Sequence, residues 1–252
     1  LIGSMKLPSL TISDRKQYTT TNDKEMKSLL SIGVAAAAIA APSAAMADTL
    51  NAAGASFPAP IYQAWLQNYA KQTGNQVNYQ ATGSGAGVRQ YTARTTDFGA
   101  SDKAVSDKKL KGISRPMVQI PMTGGAIAVA YNNPGCDLKI TQTELVRVFY
   151  GDINNWSHFG CGNKPITIAV RSDGSGTTAG FTNSLSAFSK KWKLMVGRGK
   201  AVNWPASNTV AGKGNSGVAG VIRNTEGAIG YLNYGYVVGG KFQQDRKSTR
   251  LN

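Results

Sequence analysis

Three segments rich in glycine and hydroxyl side chains each join a strand-like run to a helix-like one, and this recurrence restricts the chain to folds that alternate strand and helix. They are Ala53-Gly-Ala-Ser-Phe-Pro58 ahead of Ile61–Gln72, Thr82-Gly-Ser-Gly-Ala-Gly87 ahead of Val88–Arg94, and Arg171-Ser-Asp-Gly-Ser-Gly-Thr-Thr178 ahead of a longer helical run. A helix start leaves unpaired N–H donors and carries the positive end of the helix dipole. Glycine lets backbone come close, Ser and Thr add donors, and arginine supplies a planar fork suited to phosphate or carboxylate oxygens. Such a start is an oxyanion cradle. Simple helix capping by Ser56, Ser84 and Ser175 uses the same N–H groups, and only convergence of the three starts in space separates the two readings.

The patterning along the chain predicts strands near Leu50–Ala53, Gln76–Gln80, Phe98–Ala100, Met117–Met122, Ala126–Tyr131, Ile166–Val170 and Ala228–Leu232. Helices are predicted over Pro58–Lys71, Val88–Thr95, Ser106–Leu110, Thr141–Tyr150, Thr177–Trp192 and Asn215–Asn224. This alternation implies an α/β architecture with largely parallel sheets. Ligands in such folds sit beyond the carboxyl ends of the strands, where all three Gly/Ser segments fall.

A formal charge of +15 raises the question of nucleic acid, and residues 48–244 hold 20 Lys and Arg against 9 Asp and Glu, so the excess belongs to the folded part. The sequence carries neither the aromatic and basic interleaving of an RNA-binding sheet, nor zinc spacing, nor basic heptads, so no nucleic-acid partner is expected. A positive field attracts any anion; a polyanion-binding module is one alternative. A dinucleotide site at Gly83, Gly85 and Gly87 lacks the third glycine of the fingerprint and its acidic partner. A serine hydrolase or phosphatase using Ser175 or Ser84 is another alternative. Its triad would have to use His158, the single histidine, which stands in a loop-like segment without a nucleophile elbow. No cofactor and no metal site is expected.

Residues 26–47 read as a Sec-type signal peptide: Lys24-Glu-Met-Lys27, an apolar core too short to span a bilayer, and Ser43-Ala-Ala-Met-Ala47 for cleavage. A periplasmic mature chain starting near Asp48 follows. In an exported chain the two cysteines, Cys136 and Cys161, are most simply a disulfide, the alternative being two free thiols. Residues 1–25 and 245–252 read as foreign to the fold, upstream translation and read-through respectively.

The run Ala52-Ala-Gly-Ala-Ser-Phe-Pro-Ala-Pro-Ile-Tyr62, then Gly74-Asn-Gln-Val-Asn-Tyr-Gln80, Asp97-Phe-Gly-Ala-Ser-Asp102, Asp173-Gly-Ser-Gly-Thr177, Gly212-Lys-Gly-Asn215 and Gly227-Ala-Ile-Gly-Tyr231 resembles the PstS family in unbroken order. These are the periplasmic phosphate-binding proteins of high-affinity phosphate ABC transporters. The resemblance implies a two-lobed, type II periplasmic-binding-protein fold, with the first part of lobe one over 48–121 and lobe two over 122–244. It implies a monomeric, non-enzymatic receptor for inorganic phosphate that works with membrane ABC permease subunits. Its ligand contacts would be Ser56, Phe57, Ser84, Asp102, Arg171, Ser175, Gly176 and Thr177, with Asp173 orienting Arg171. A hinge is expected near Gln119–Met122. Family members continue well past the Gly-Ala-Ile-Gly-Tyr motif, so the resemblance also implies that the C-terminal part of lobe one is missing. Left to the residues alone, Asp102 also fits a helix N-cap and Arg171 with Asp173 a surface ion pair.

Overall fold

The computed structural model describes residues 48–240 and 242–244; the expected signal peptide and the two foreign ends lie outside them. Two sheets are formed. In the first, β1 (Thr49–Gly54) lies between β2 (Gln76–Gln80) and β3 (Phe98–Ala100), all parallel, with Ala52 opposite both Tyr79 and Phe98. Helix α1 (Ala59–Thr73) connects β1 to β2 and α2 (Ser84–Thr92) connects β2 to β3. Proline at the start and a left-handed Gly74 at the end bound α1. Gly87 is required by close approach, since a Cβ there would stand 2.5 Å from the Gly54 Cα. This lets the start of α2 sit directly against the end of β1.

The second sheet has the order β6-β5-β7-β4-β8, built from β4 (Ile127–Asn132), β5 (Thr167–Arg171), β6 (Thr209–Gly212), β7 (Ala228–Asn233) and β8 (Gln243–Gln244). It is mixed, because β5 runs parallel to β6 and β7 while β4 is antiparallel to β7 and β8. Its two faces are read off the alternation of residues. Val129, Tyr131, Ile168, Val170, Ile229 and Tyr231 join Phe149 of α4 (Gln142–Tyr150) and Phe181 of α5 (Gly176–Phe188) in the larger core. The opposite face presents Ala128, Ala130 and Ala169, small enough for α7 (Gly214–Asn224) to pack its Val218 and Ile222 directly on the sheet. Helix α8 (Tyr234–Gly240) adds Val237 to that layer.

The Met117–Met122 strand does not form: the segment is irregular, and Val118, Ile120 and Met122 are 85%, 70% and 59% exposed. An apolar run makes a strand only where a sheet edge receives it, and among the described residues this one meets none. The helix expected over Thr177–Trp192 is two helices, because Ser189 ends α5 and caps α6 (Lys190–Met195), its hydroxyl accepting from the Trp192 N–H. Ser106 leads into the single turn α3 (Asp107–Leu110), and a 3₁₀ turn spans Trp156–Phe159. Among the tryptophans, Trp156 and Trp192 are fully buried, Trp204 packs on the larger core, and Trp65 stands exposed on α1.

Cys136 and Cys161 are joined in a disulfide across a sequence separation of 25. Both lie at the edge of the larger core, beside Leu138 and Trp156. Replacing both by serine is expected to lower stability by about 3 kcal/mol through the freed loop of the unfolded chain. A urea titration of the two forms measures the difference, and an unchanged midpoint would show the bridge to be energetically idle.

Candidate anion-binding cleft

The carboxyl ends of β1 and β3 and the start of α2 face the carboxyl end of β5 and the starts of α5 and α7. Each side brings helix N–H groups and hydroxyls. Ser84, at the first position of α2 and fully buried, has an Oγ that accepts from the Gly176 N–H and from the Asp102 N–H, both at 3.2 Å. The Gly85 N–H donates to the Gly174 carbonyl at 2.7 Å, so the two Gly/Ser loops touch through backbone.

Arg171 is the last residue of β5, and its side chain is 2% exposed. Its Nε and Nη2 donate to the two carboxyl oxygens of Asp173 at 2.8 and 2.5 Å, leaving Nη1 to face the Thr177 hydroxyl at 3.5 Å. The pair is therefore an internal one and not a surface pair. Asp173 also accepts from the Gly214 N–H at 2.9 Å. Burial pushes its carboxyl up, but the Arg171 bonds and that N–H outweigh it and hold the group below the usual carboxylate range.

Asp102 follows β3 and aims its carboxyl at the start of α5, where the Thr177 hydroxyl donates to Oδ2 at 3.4 Å. The residue as a whole is exposed toward the cleft, yet its carboxyl is crowded from within. Burial pushes its pKa up to about 6, with Arg171, Ser84, Thr177 and Lys200 pulling the other way. It is the one carboxylate of the cleft not already engaged by arginine.

The expected residues do not all behave alike. Ser56 is buried at the β1–α1 turn, and Gly176 and Thr177 open α5. Ser175 caps α5, its Oγ accepting from the Thr178 N–H at 2.9 Å, which is the plain capping role. Phe57 is half-buried beside Ser56, its ring edge near Gly125, so the residue can serve the cleft through its backbone N–H only.

Sequence reasoning missed three participants. Asn215, fully buried in the first turn of α7, donates to Ser56 and Thr177. Tyr236 of α8 donates its phenol to the Ser56 carbonyl at 2.8 Å. The ammonium of Lys200 donates to the Ser101 hydroxyl at 2.9 Å, and burial and the neighbouring Lys109 press its pKa down. Asn215 ends the quoted Gly-Lys-Gly-Asn motif, which was its only local signal.

A match to the model of the PBP superfamily domain runs over residues 40–249. The chain belongs to the PBP superfamily. Among curated proteins it is 43% identical to the phosphate-binding protein PstS of Haemophilus influenzae over 204 residues, covering 76% of this chain and 60% of that protein. To PstS of Pasteurella multocida it is 42% identical, covering 75% of this chain and 58% of that one. The chain thus spans about 60% of the length of these relatives. A crystal structure of a phosphate-binding protein from Stenotrophomonas maltophilia superposes with a TM-score of 0.61 at 21% identity, over 74% of this chain and 60% of that one. The fold is the α/β, type II periplasmic-binding-protein fold of this superfamily.

The hydrolase alternative finds no support in the geometry. His158 meets the Glu144 carboxylate at 3.3 Å, and the hydrogen-bond partners of Ser84 and Ser175 do not include it. Among the described residues no three His, Cys, Asp or Glu side chains are grouped to hold a metal ion.

Proposed function

We propose that this chain carries the phosphate-capturing cleft of a solute receptor, which binds inorganic phosphate between its two sheets and hands it to the membrane permease subunits of an ABC transporter without turning it over. The observation that carries the reading is the ratio of groups in the cleft. The starts of α1, α2 and α5, the hydroxyls of Ser56, Ser84 and Thr177 and the Arg171 guanidinium all carry donors, and set against them is the Asp102 carboxylate, an acceptor held by the Thr177 hydroxyl and by no arginine hydrogen bond. Such a set suits a tetrahedral anion that still carries a proton. The curated relatives named above are phosphate-binding proteins by name, which supports the same ligand.

Contacts to phosphate are assigned to Ser56, Phe57, Ser84, Asp102, Arg171, Ser175, Gly176 and Thr177, with Asp173 aiming Arg171. Closure of the two sides would be the working step. The flexing segment in this reading is the one near Gln119–Met122, its near end held by two bonds from Gln119 to the Val105 backbone at 2.7 and 3.0 Å. Action in the periplasm as a monomer belongs to the same reading. Among the described residues no helix is long and apolar enough to cross a membrane.

Equilibrium dialysis of the chain against labelled phosphate, with and without a large excess of sulfate, tests it. Saturable one-site retention that sulfate leaves intact is the expected result. Absence of retention, or displacement by sulfate, would overturn the phosphate assignment.

A further inference from the structure

Ser56 is reached from across the cleft by a single side chain that makes an unusual number of contacts. The Asn215 N–H and its Nδ2 both donate to the Ser56 Oγ, each at 3.0 Å. The same Nδ2 donates to the Thr177 Oγ1 at 3.3 Å, and Oδ1 accepts the Asn233 N–H at 2.8 Å. That last bond fixes which end of the carboxamide faces the cleft, because an N–H can only meet the oxygen.

A hydroxyl has one proton to give and two lone pairs to receive. With both lone pairs of Ser56 filled by Asn215, its proton is all that it can offer. The Ser84 Oγ is in the same state, filled by the Gly176 and Asp102 N–H groups. The Thr177 Oγ1 is filled by Asn215 and by Arg171 Nη1 at 3.5 Å.

We propose that Asn215 is a positioning residue for anion capture: it saturates the acceptor sites of Ser56, so that this hydroxyl can only donate, and couples it to Thr177 on the opposite side. The inference rests on the receptor reading above. Its chemical content is that hydroxyls able to switch between donor and acceptor would also suit neutral ligands, whereas these are set for anions. Asn215 itself touches no ligand in this assignment.

A double-mutant cycle on phosphate retention separates this role from a purely structural one. Asn215→Ala and Ser56→Ala are each expected to weaken binding roughly 10- to 100-fold, as a lost bond to a charged group would. The double variant should be no more than about threefold weaker than the weaker single one, since Asn215→Ala removes the Nδ2 bond that acts on the Ser56 hydroxyl and Ser56→Ala removes the hydroxyl itself. Multiplying effects would overturn the proposal. Should Asn215→Ala fail to fold, Asn215→Asp keeps the acceptor for the Asn233 N–H while losing the Nδ2 donors, and the same cycle is run with it.

A second readout needs no phosphate. The Asn215 carboxamide resonances in a ¹H–¹⁵N spectrum are expected to shift in Ser56→Ala and to lose their protection from exchange. Unmoved resonances would refute the coupling. Failure of the unsubstituted chain to retain phosphate would instead refute the receptor reading, and the spectrum would still decide whether Asn215 governs Ser56.

Discussion

Arg171→Ala is expected to reduce phosphate retention by at least about 30-fold in a chain that still folds. The guanidinium is almost wholly buried and held in plane by two bonds to Asp173. Alanine takes away the positive charge and also uncovers a negative one. The Asp173 carboxylate would keep the Gly214 N–H but lose its cation, and would then face the incoming anion. Truncating one member of a buried, hydrogen-bonded charge pair typically weakens binding by about 2–5 kcal/mol. At about 1.4 kcal/mol per tenfold, that is roughly 30-fold to several thousandfold. Arg171→Lys is expected to fall between, since it restores charge without the fork. Dialysis reads the effect and thermal melting checks the fold, which the backbone pairing of β5 with β6 and β7 and the core packing of Ile168 and Val170 leave independent of the Arg171 side chain. Retention within threefold of the unsubstituted chain would remove Arg171 from the site.

What could be read from the sequence divides along the range of the interactions involved. The three Gly/Ser segments were legible because helix starts after strands are written in neighbouring residues. The strands at Gln76–Gln80 and Phe98–Ala100 fell where expected for the same reason. The Met117–Met122 run forms no strand because apolar composition says nothing of whether an edge waits to receive it. The break at Ser189 was hidden by apolar periodicity that continues through Trp192, although a serine three residues ahead of a tryptophan was capping material in plain view. Strand β6, with only Gly212 of its four residues buried, and helix α8 left too little apolar pattern to register.

The site followed the same rule. Arg171 and Asp173 are two residues apart, and their pairing could be proposed from that spacing. Asn215 meets Ser56 over a separation of 159 residues, and Lys200 meets Ser101 over 99. No local chemistry announces such contacts; they exist only once both sheets are in place.

Asp102→Asn is expected to shrink the preference for phosphate over sulfate by roughly 100-fold or more. Phosphate near neutral pH keeps at least one proton, and a carboxylate can accept it, whereas sulfate would set a bare oxygen against that carboxylate. Discrimination therefore comes from repelling the wrong anion as much as from holding the right one. The amide removes the repulsion and can turn a donor toward sulfate, so sulfate should gain while phosphate loses. Competition dialysis measures the ratio, and an unchanged ratio would take Asp102 out of the selectivity. The same variant tests the electrostatics of the unliganded cleft. With its pKa raised to about 6, Asp102 holds a proton in the folded chain at pH values where the unfolded chain has released it. That contribution is complete below the ordinary carboxylate range and is lost as pH rises through about 6. Above it the charged carboxylate relies on Arg171 and Lys200, which lower its pKa without cancelling its burial. Melting temperatures without phosphate should thus fall from about pH 4 to pH 6.5 in the unsubstituted chain more than in Asp102→Asn. Phosphate then suits the cleft best where this cost is greatest, because its own proton gives the ionised carboxylate a further donor beside the Thr177 hydroxyl.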